Sequence, residues 1–241
     1  MSPSQRDFDA NKIKGIVFDK DGTLLDFHAT WVPRARAAAE AVADGDPSRA
    51  LTMLQAVGYD TTTHRVLGGS VLAAGNNRDI SLIWAPLANK SVDQVEVLLN
   101  QMFATTTHGE SVAVDHLTAS LEQLVGLGLV LGLATMDSEA GIEATLGNFG
   151  CLHLFDYAVG YDSGFGSKPG PGMVLGFCQQ TGLTPEQVMV VGDNTHDLHM
   201  GRSAAAGFNV GVLTGTSSRS ELVTDADLVV ASIADLVALW H

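Results

Sequence analysis

The segment Phe18-Asp19-Lys20-Asp21-Gly22-Thr23-Leu24 sets two carboxylates two positions apart, at the end of the β-branched apolar run 13–18. Alternation along an extended chain turns Asp19 and Asp21 to the same side. Like charges placed this way repel unless a proton or a cation intervenes. A hard divalent ion such as Mg2+, which takes oxygen ligands and keeps several of its waters, meets that need. A second acidic pair repeats the arrangement: the run Val190-Val191-Gly192 is followed by Asp193, Asn194 and, about one helical turn on, Asp197. Between the pairs stand Thr135, after the apolar stretch 127–134, and Lys168, ahead of Pro169. Oxygen ligands, a hydroxyl and a cation, with a carboxylate able to act as nucleophile, are the parts that phosphoryl transfer requires.

These residues need elements that bring them together. Short apolar runs predict strands over 13–18, 127–134, 187–191, 208–213 and 227–230. One-faced apolar patterns predict helices over 114–127, 138–149, 170–181, 197–206 and 233–239, with Ser138 as an N-cap. Apolar strands alternating with helices form a doubly wound parallel sheet covered on both faces, an α/β fold. Ligands of such sheets lie outside the carboxyl ends of the strands, where both acidic pairs fall. The interval 29–107 breaks the rhythm. It carries helical stretches such as 34–43 and 92–103, turns at 44–48 and 68–77, and no comparable buried strand. It reads as a helical insertion, dividing the chain into a core of 1–28 and 108–241 and a second unit of 29–107.

Composition narrows the partners. The chain has 241 residues, a formal net charge of −14 and 46% apolar residues, enough to bury a sizeable core. The acidic balance opposes nucleic acid and anionic membrane surfaces as partners, while a local cation can still hold an anionic small substrate. No apolar stretch reaches the about 20 residues of a membrane span, and the first 14 residues lack the apolar core of a signal peptide. Cys151 and Cys178 form no disulfide or metal pattern and read as small buried thiols. A cytoplasmic protein, monomer or homodimer, is the expectation.

The ordered set Asp19-x-Asp21-Gly-Thr, Thr135 near a strand end, Lys168-Pro and Gly-Asp193-x-x-x-Asp197 resembles the haloacid dehalogenase superfamily. It looks most like the phosphoglycolate phosphatase-like branch, as does the later stretch Gly211 to Thr216 followed by Ser218-Arg219. The resemblance spans most of the chain and is weak across the insertion. It implies a Rossmann-like core with a helical cap, a Mg2+ cofactor and a small phosphate ester such as 2-phosphoglycolate as substrate. Asp19 would be the nucleophile that forms an aspartyl-phosphate. Asp21 would be general acid and then base. Thr135 and the backbone amide of Met136 would hold the phosphoryl group, and Lys168 would stabilise its charge and orient Asp19. Asp193 would coordinate Mg2+ with Asp19 and the carbonyl of Asp21, with Asp197 a secondary carboxylate and Asn194 holding a metal-bound water. Roughly 110 residues separate Asp21 from Thr135, against 33 between Thr135 and Lys168, so the cap is the early type, C1 in that superfamily.

Each part also has an ordinary structural use. Acidic turns follow strands, a carboxylate caps a helix N-terminus, and a lysine is usually a solvated charge. His28 and Trp31 could line a cleft under the cap or serve a hinge. His64 with Arg65, and Asn76, Asn77 and Arg78, are polar groups of the insertion with surface roles as the plainer reading. His196 lies at a variable position of its motif. Within the superfamily, a dehalogenase or a phosphonate hydrolase would lack Asp21. A sugar phosphomutase or a sugar-phosphate or nucleotide phosphatase would share the motifs. A phospho-accepting receiver or other non-catalytic phosphate-binding module is the reading from another class, and it needs no cap.

Overall fold

Apolar runs with no polar alternation are stable as strands only when both faces are covered. The computed structural model, which describes residues 8–104 and 111–240, builds one parallel sheet from such runs. In chain order the elements are β1 (Gly15–Phe18), α1 (Phe27–Val42), α2 (Pro47–Ala56), β2 (Tyr59–Asp60), β3 (Arg65–Val66), α3 (Val71–Ala74), α4 (Asn77–Ala88) and α5 (Val92–Ala104). Then come α6 (Leu117–Gly126), β4 (Val130–Ala134), α7 (Glu139–Leu146), β5 (Tyr157–Val159), α8 (Gly172–Thr181), β6 (Val188–Gly192), α9 (Thr195–Ser203), β7 (Phe208–Val212), α10 (Arg219–Leu222) and β8 (Leu228–Val230). The sheet order is β5-β4-β1-β6-β7-β8. The chain runs outward from β1 through β4 to β5, then returns to lay β6 on the other side of β1. That reversal is a topological switch point, and it opens a crevice at the carboxyl ends of β1, β4 and β6.

Alternate strand residues feed two cores. Ile16, Phe18, Leu131, Leu133, Met189 and Val191 pack with Leu117, Leu121 and Leu124 of α6 on one face. Val17, Val188 and Val190 pack with Met173, Val174 and Phe177 of α8 and Met200 of α9 on the other. Two glycines let α8 come close. A side chain at Gly15 or Gly132 would overlap the ring of Phe177, which is completely buried. Cys151 and Cys178 are free and buried. Among the described residues, no helix is long and apolar enough to cross a membrane.

The expected strands and helices are present with shifted ends. β5, absent from the expected strands, is the sixth. It has only three residues at a sheet edge, too few to show a period. The final helix, expected over 233–239, is a 3-10 segment, Ile233–Trp240. The helix expected from 197 begins at Thr195, because the Asn194 side chain accepts the His196 amide (3.2 Å) and so caps it earlier. The insertion holds more than expected: α2, α4, the short α3 within 68–77 and the two-residue pairing of β2 with β3. Its helices bury their own apolar cluster, centred on Trp84, Met53, Leu99 and Ala38. α1 already begins at Phe27, before the expected start at 29; residues 107 and 108, the other expected boundary, lie outside the described residues.

The Phe177 contact is testable. Gly132→Ala should lower unfolding stability by about 1–3 kcal/mol through overpacking. Combined with Phe177→Leu, the loss in urea denaturation should be smaller than the sum of the two single losses. Strict additivity would show that the two positions do not meet.

Candidate active site

The first loop is a tight curl with its ends pinned. The Asp19 amide donates to the Val191 carbonyl (2.8 Å), extending the ladder one residue beyond β1. The chain then wraps the Lys20 carbonyl, which accepts from the Leu24 and Leu25 amides (2.9 and 3.0 Å). Gly22 sits at φ +94°, and a Cβ there would strike the Asp193 carboxylate. Glycine is therefore required both by conformation and by the approach of the loop after β6. A third loop, after β7, braces the first two. The Thr214 hydroxyl donates to the Gly22 carbonyl (2.7 Å), and the Thr216 amide and hydroxyl donate to Asp193 Oδ2 (2.7 and 3.1 Å).

Lys168 enters from the loop between β5 and α8. Its ammonium lies 2.5 Å from Asp19 Oδ1 and 2.6 Å from Asp197 Oδ1, with all three side chains buried. Asp19, Asp193 and Asp197 each bring a carboxylate oxygen within 4.8 Å of the others. Burial pushes the Asp19 carboxyl up to about 6, with Lys168 opposing and Asp197 adding to the rise. Burial also holds Asp193 well above the carboxylate range, reinforced by Asp19 and Asp197 and opposed by Thr216. Burial works against the charge on Lys168, but Asp19 and Asp197 outweigh it and raise the ammonium.

The oxygens divide by use. Asp197 spends Oδ1 on Lys168 and Oδ2 on the Asn194 amide (3.0 Å). Asp19 Oδ2 is buried with no hydrogen-bond partner. A buried carboxylate oxygen left without a donor, beside a second carboxylate, fits a hard divalent cation. Of the three clustered carboxylates, Asp19 and Asp193 could hold such an ion, since both oxygens of Asp197 are engaged by Lys168 and the Asn194 amide. The Asn194 side-chain oxygen is used by the helix cap.

Asp21 is held from two directions. The Lys20 ammonium lies 2.8 Å from its Oδ2, and the Trp31 indole donates to its Oδ1 (2.5 Å). Burial raises the Asp21 carboxyl, Lys20 opposes, and Asp137 and Asp19 add to the rise. Thr135 closes the end of β4, where its amide donates to Val159 (3.0 Å) and its hydroxyl accepts from the Asp137 amide (3.0 Å).

A cavity of about 300 Å³ lies over these strand ends, lined by Asp19, Asp21, Thr135, Met136, Lys168, Asp193, Asn194 and Asp197, all of them expected from the sequence. Trp31, Ile80, Phe103, Asn76, Asn77 and Asn100 face them from the insertion, and His196 and Tyr161 also border the space. His28, His64, Arg65 and Arg78 do not line it. The Val66 amide donates to His28 (3.4 Å), His64 meets the Tyr59 hydroxyl (3.1 Å), and Arg78 pairs with Asp93 and Glu96 (2.7 and 2.5 Å). Sequence reasoning passed over Lys20 and Asp137. The signal for Lys20 was its place between two carboxylates at the end of a buried strand; Asp137, two residues beyond Thr135, carried none.

Residues 13–205 match the haloacid dehalogenase-like hydrolase family. A phosphoglycolate phosphatase from Yersinia pseudotuberculosis is 28% identical over 232 residues, covering 93% of this chain and 92% of its own. A predicted phosphoglycolate phosphatase from Haemophilus somnus superposes with a TM-score of 0.74 at 20% identity, over 97% of this chain and 100% of its own. A provisionally assigned β-phosphoglucomutase from Thermotoga maritima has a TM-score of 0.67 at 20% identity, over 94% and 98%. At these identities the two solved structures speak for the fold. With its motifs gathered at the carboxyl end of the sheet and the match running through all of them, the chain belongs to the haloacid dehalogenase-like hydrolase family.

Proposed function

We propose that this hydrolase is a Mg2+-dependent phosphomonoesterase working through an aspartyl-phosphate on Asp19. The observation that carries the reading is the Asp19 carboxylate: buried, oriented at Oδ1 by Lys168, and unpartnered at Oδ2 beside Asp193. An Asp19 oxygen attacks phosphorus, and the ester P–O bond breaks with its electron pair going to the leaving oxygen. Asp21 protonates that oxygen, then takes a proton from the water that attacks phosphorus and breaks the Asp19–phosphorus bond. Thr135 and the Met136 amide hold the phosphoryl oxygens, and Lys168 balances their charge. A Mg2+ ion held by Asp19, Asp193 and the Asp21 carbonyl, with Asp197 and Asn194 in its surroundings, would neutralise phosphate charge.

The insertion acts as the cap. Trp31 and Phe103 would cover the leaving group and exclude water from the reacting centre. Relatives named as phosphoglycolate phosphatases place 2-phosphoglycolate first in a substrate panel, with sugar and nucleotide phosphates beside it. A cytoplasmic monomer or homodimer acting on a small molecule is the accompanying proposal.

Phosphate release from such a panel should depend on Mg2+ and stop with chelator, and Asp19→Asn should lower kcat by about 10³-fold or more. Full activity in that variant would remove Asp19 as nucleophile. Phosphate retained on an isomerised sugar would show a mutase instead.

The raised carboxyls give a second prediction. An Asp19 lifted from 3.8 to about 6 binds its proton more tightly when folded. The metal-free protein is therefore favoured at low pH and loses that stability as pH rises from 4 through 6. Mg2+ at about a hundred times its Kd should restore about 3 kcal/mol at pH 7.5, a Tm rise of about 5–10 °C. The rise should shrink at pH 5 and vanish in Asp193→Asn. An absent shift at every pH counts against a cation at this site.

A further inference from the structure

Lys20 separates Asp19 from Asp21 in the curl that follows β1, and its side chain folds onto that of Asp21. It does not reach solvent at all. Its ammonium is bound by three groups: Asp21 Oδ2 at 2.8 Å, Asp137 Oδ2 at 2.9 Å and Thr145 Oγ1 at 2.9 Å. Thr145 has its own proton committed to the Gly141 carbonyl (2.6 Å), so its free lone pair is turned to Lys20. Gly141 has no side chain because the Asp137 carboxylate fills the place of its Cβ. The first turn of α7 is therefore shaped around Asp137, and Asp137 around Lys20.

An isolated buried ammonium is strongly destabilising, and a fold retains one only where its partners are well placed. Lys20 has more partners than Asp21 alone would require. Asp137, just ahead of α7, and Thr145, within it, anchor the ammonium, and from that anchor it reaches both oxygens of Asp21 (2.8 Å to Oδ2 and 3.0 Å to Oδ1). Trp31 completes the clamp. Its indole nitrogen donates to Asp21 Oδ1 (2.5 Å), and its ring centroid lies 5.5 Å from the Lys20 ammonium. Trp31 belongs to α1, the first helix of the insertion, so Asp21 is gripped by the core on one side and the insertion on the other.

We propose that Lys20 is a positioning residue for Asp21, anchored by Asp137 and Thr145 and completed across the cavity by Trp31. The inference rests on the phosphatase reading, since it gives Lys20 a purpose through the proton that Asp21 moves. Lys20 acts on the two steps that use Asp21, protonation of the leaving oxygen and activation of water. It does not act on the attack by Asp19. The two kinds of step separate by leaving group. An alkoxide needs its proton as the P–O bond breaks, whereas p-nitrophenolate departs without one.

The test compares an alkyl phosphate with p-nitrophenyl phosphate in Lys20→Met. With the alkyl ester, kcat should fall by about 10²-fold or more while KM stays within a few-fold. With the aryl ester, about one equivalent of nitrophenolate per site should appear in a burst, followed by slow turnover, because water activation still needs Asp21. Equal losses on both esters, with no burst, would overturn the inference in favour of general damage to the site. Because Lys20→Met leaves the partly buried Asp21 and Asp137 without their cation, the double variant Lys20→Met/Asp137→Asn serves as a folding control. It should keep the leaving-group dependence; recovery of wild-type turnover on the alkyl ester would show that Lys20 only balances charge. If the wild-type protein hydrolyses neither ester, the phosphatase reading fails first and the role of Lys20 falls with it.

Discussion

Carboxylates crowded into a buried space repel strongly, and the placement of cations around Asp19, Asp21, Asp137, Asp193 and Asp197 governs the rest of this molecule. Two buried ammoniums divide the task. Lys168 joins Asp19 to Asp197, and Lys20 joins Asp21 to Asp137. Each residue of the Asp-x-Asp pair thus has a cation of its own, brought from a different direction. Five carboxylates against two ammoniums still leave an excess of negative charge; burial is the main cause of the upward push on Asp19, Asp21 and Asp193, and the neighbouring carboxylates add to it. Such a site favours protonation, and its clustered carboxylates could hold a divalent cation.

The backbone is cut to fit these charges. Gly22 and Gly215 lie against Asp193, and Gly141 lies against Asp137; a methyl group at any of them would displace a carboxylate. Thr214 and Thr216 tie the loop after β7 to the loops after β1 and β6. The strand ends alone would scatter these side chains over several ångströms of loop freedom. The bonds among the loops remove that freedom before any ligand arrives, which is how a preorganised electrostatic site is made.

The insertion contributes in another way. Its apolar cluster is its own, so its helices hold their arrangement without borrowing the sheet's core. What it offers the cavity is a wall of apolar and amide groups opposite a wall of carboxylates, and the Trp31 indole reaches across to Asp21. In the proposed function the chemistry belongs to the carboxyl ends of the central strands, and the surface that would meet the remainder of a substrate belongs to separate helices.

The strands and the motif residues were legible in the sequence because each rests on local chemistry. Runs such as Val188–Gly192 have no polar period and must be buried; Asp19, Thr135 and Asp193 follow such runs closely, and Lys168 is marked by the proline after it. Three-residue β5 and the exact start of α9 were not legible, since one shows no period and the other depends on a side-chain cap. The partners of Lys20 were hidden for a deeper reason. Asp137 and Thr145 lie more than a hundred residues away, and only the pairing of β1 with β4, which carries α7 to the loop after β1, brings them to one ammonium. Residue type and spacing determined that a phosphate chemistry was available on a parallel sheet. The tertiary structure decided which cation holds which carboxylate, because electrostatic partnership follows distance in space and burial, and neither is a property of position along the chain.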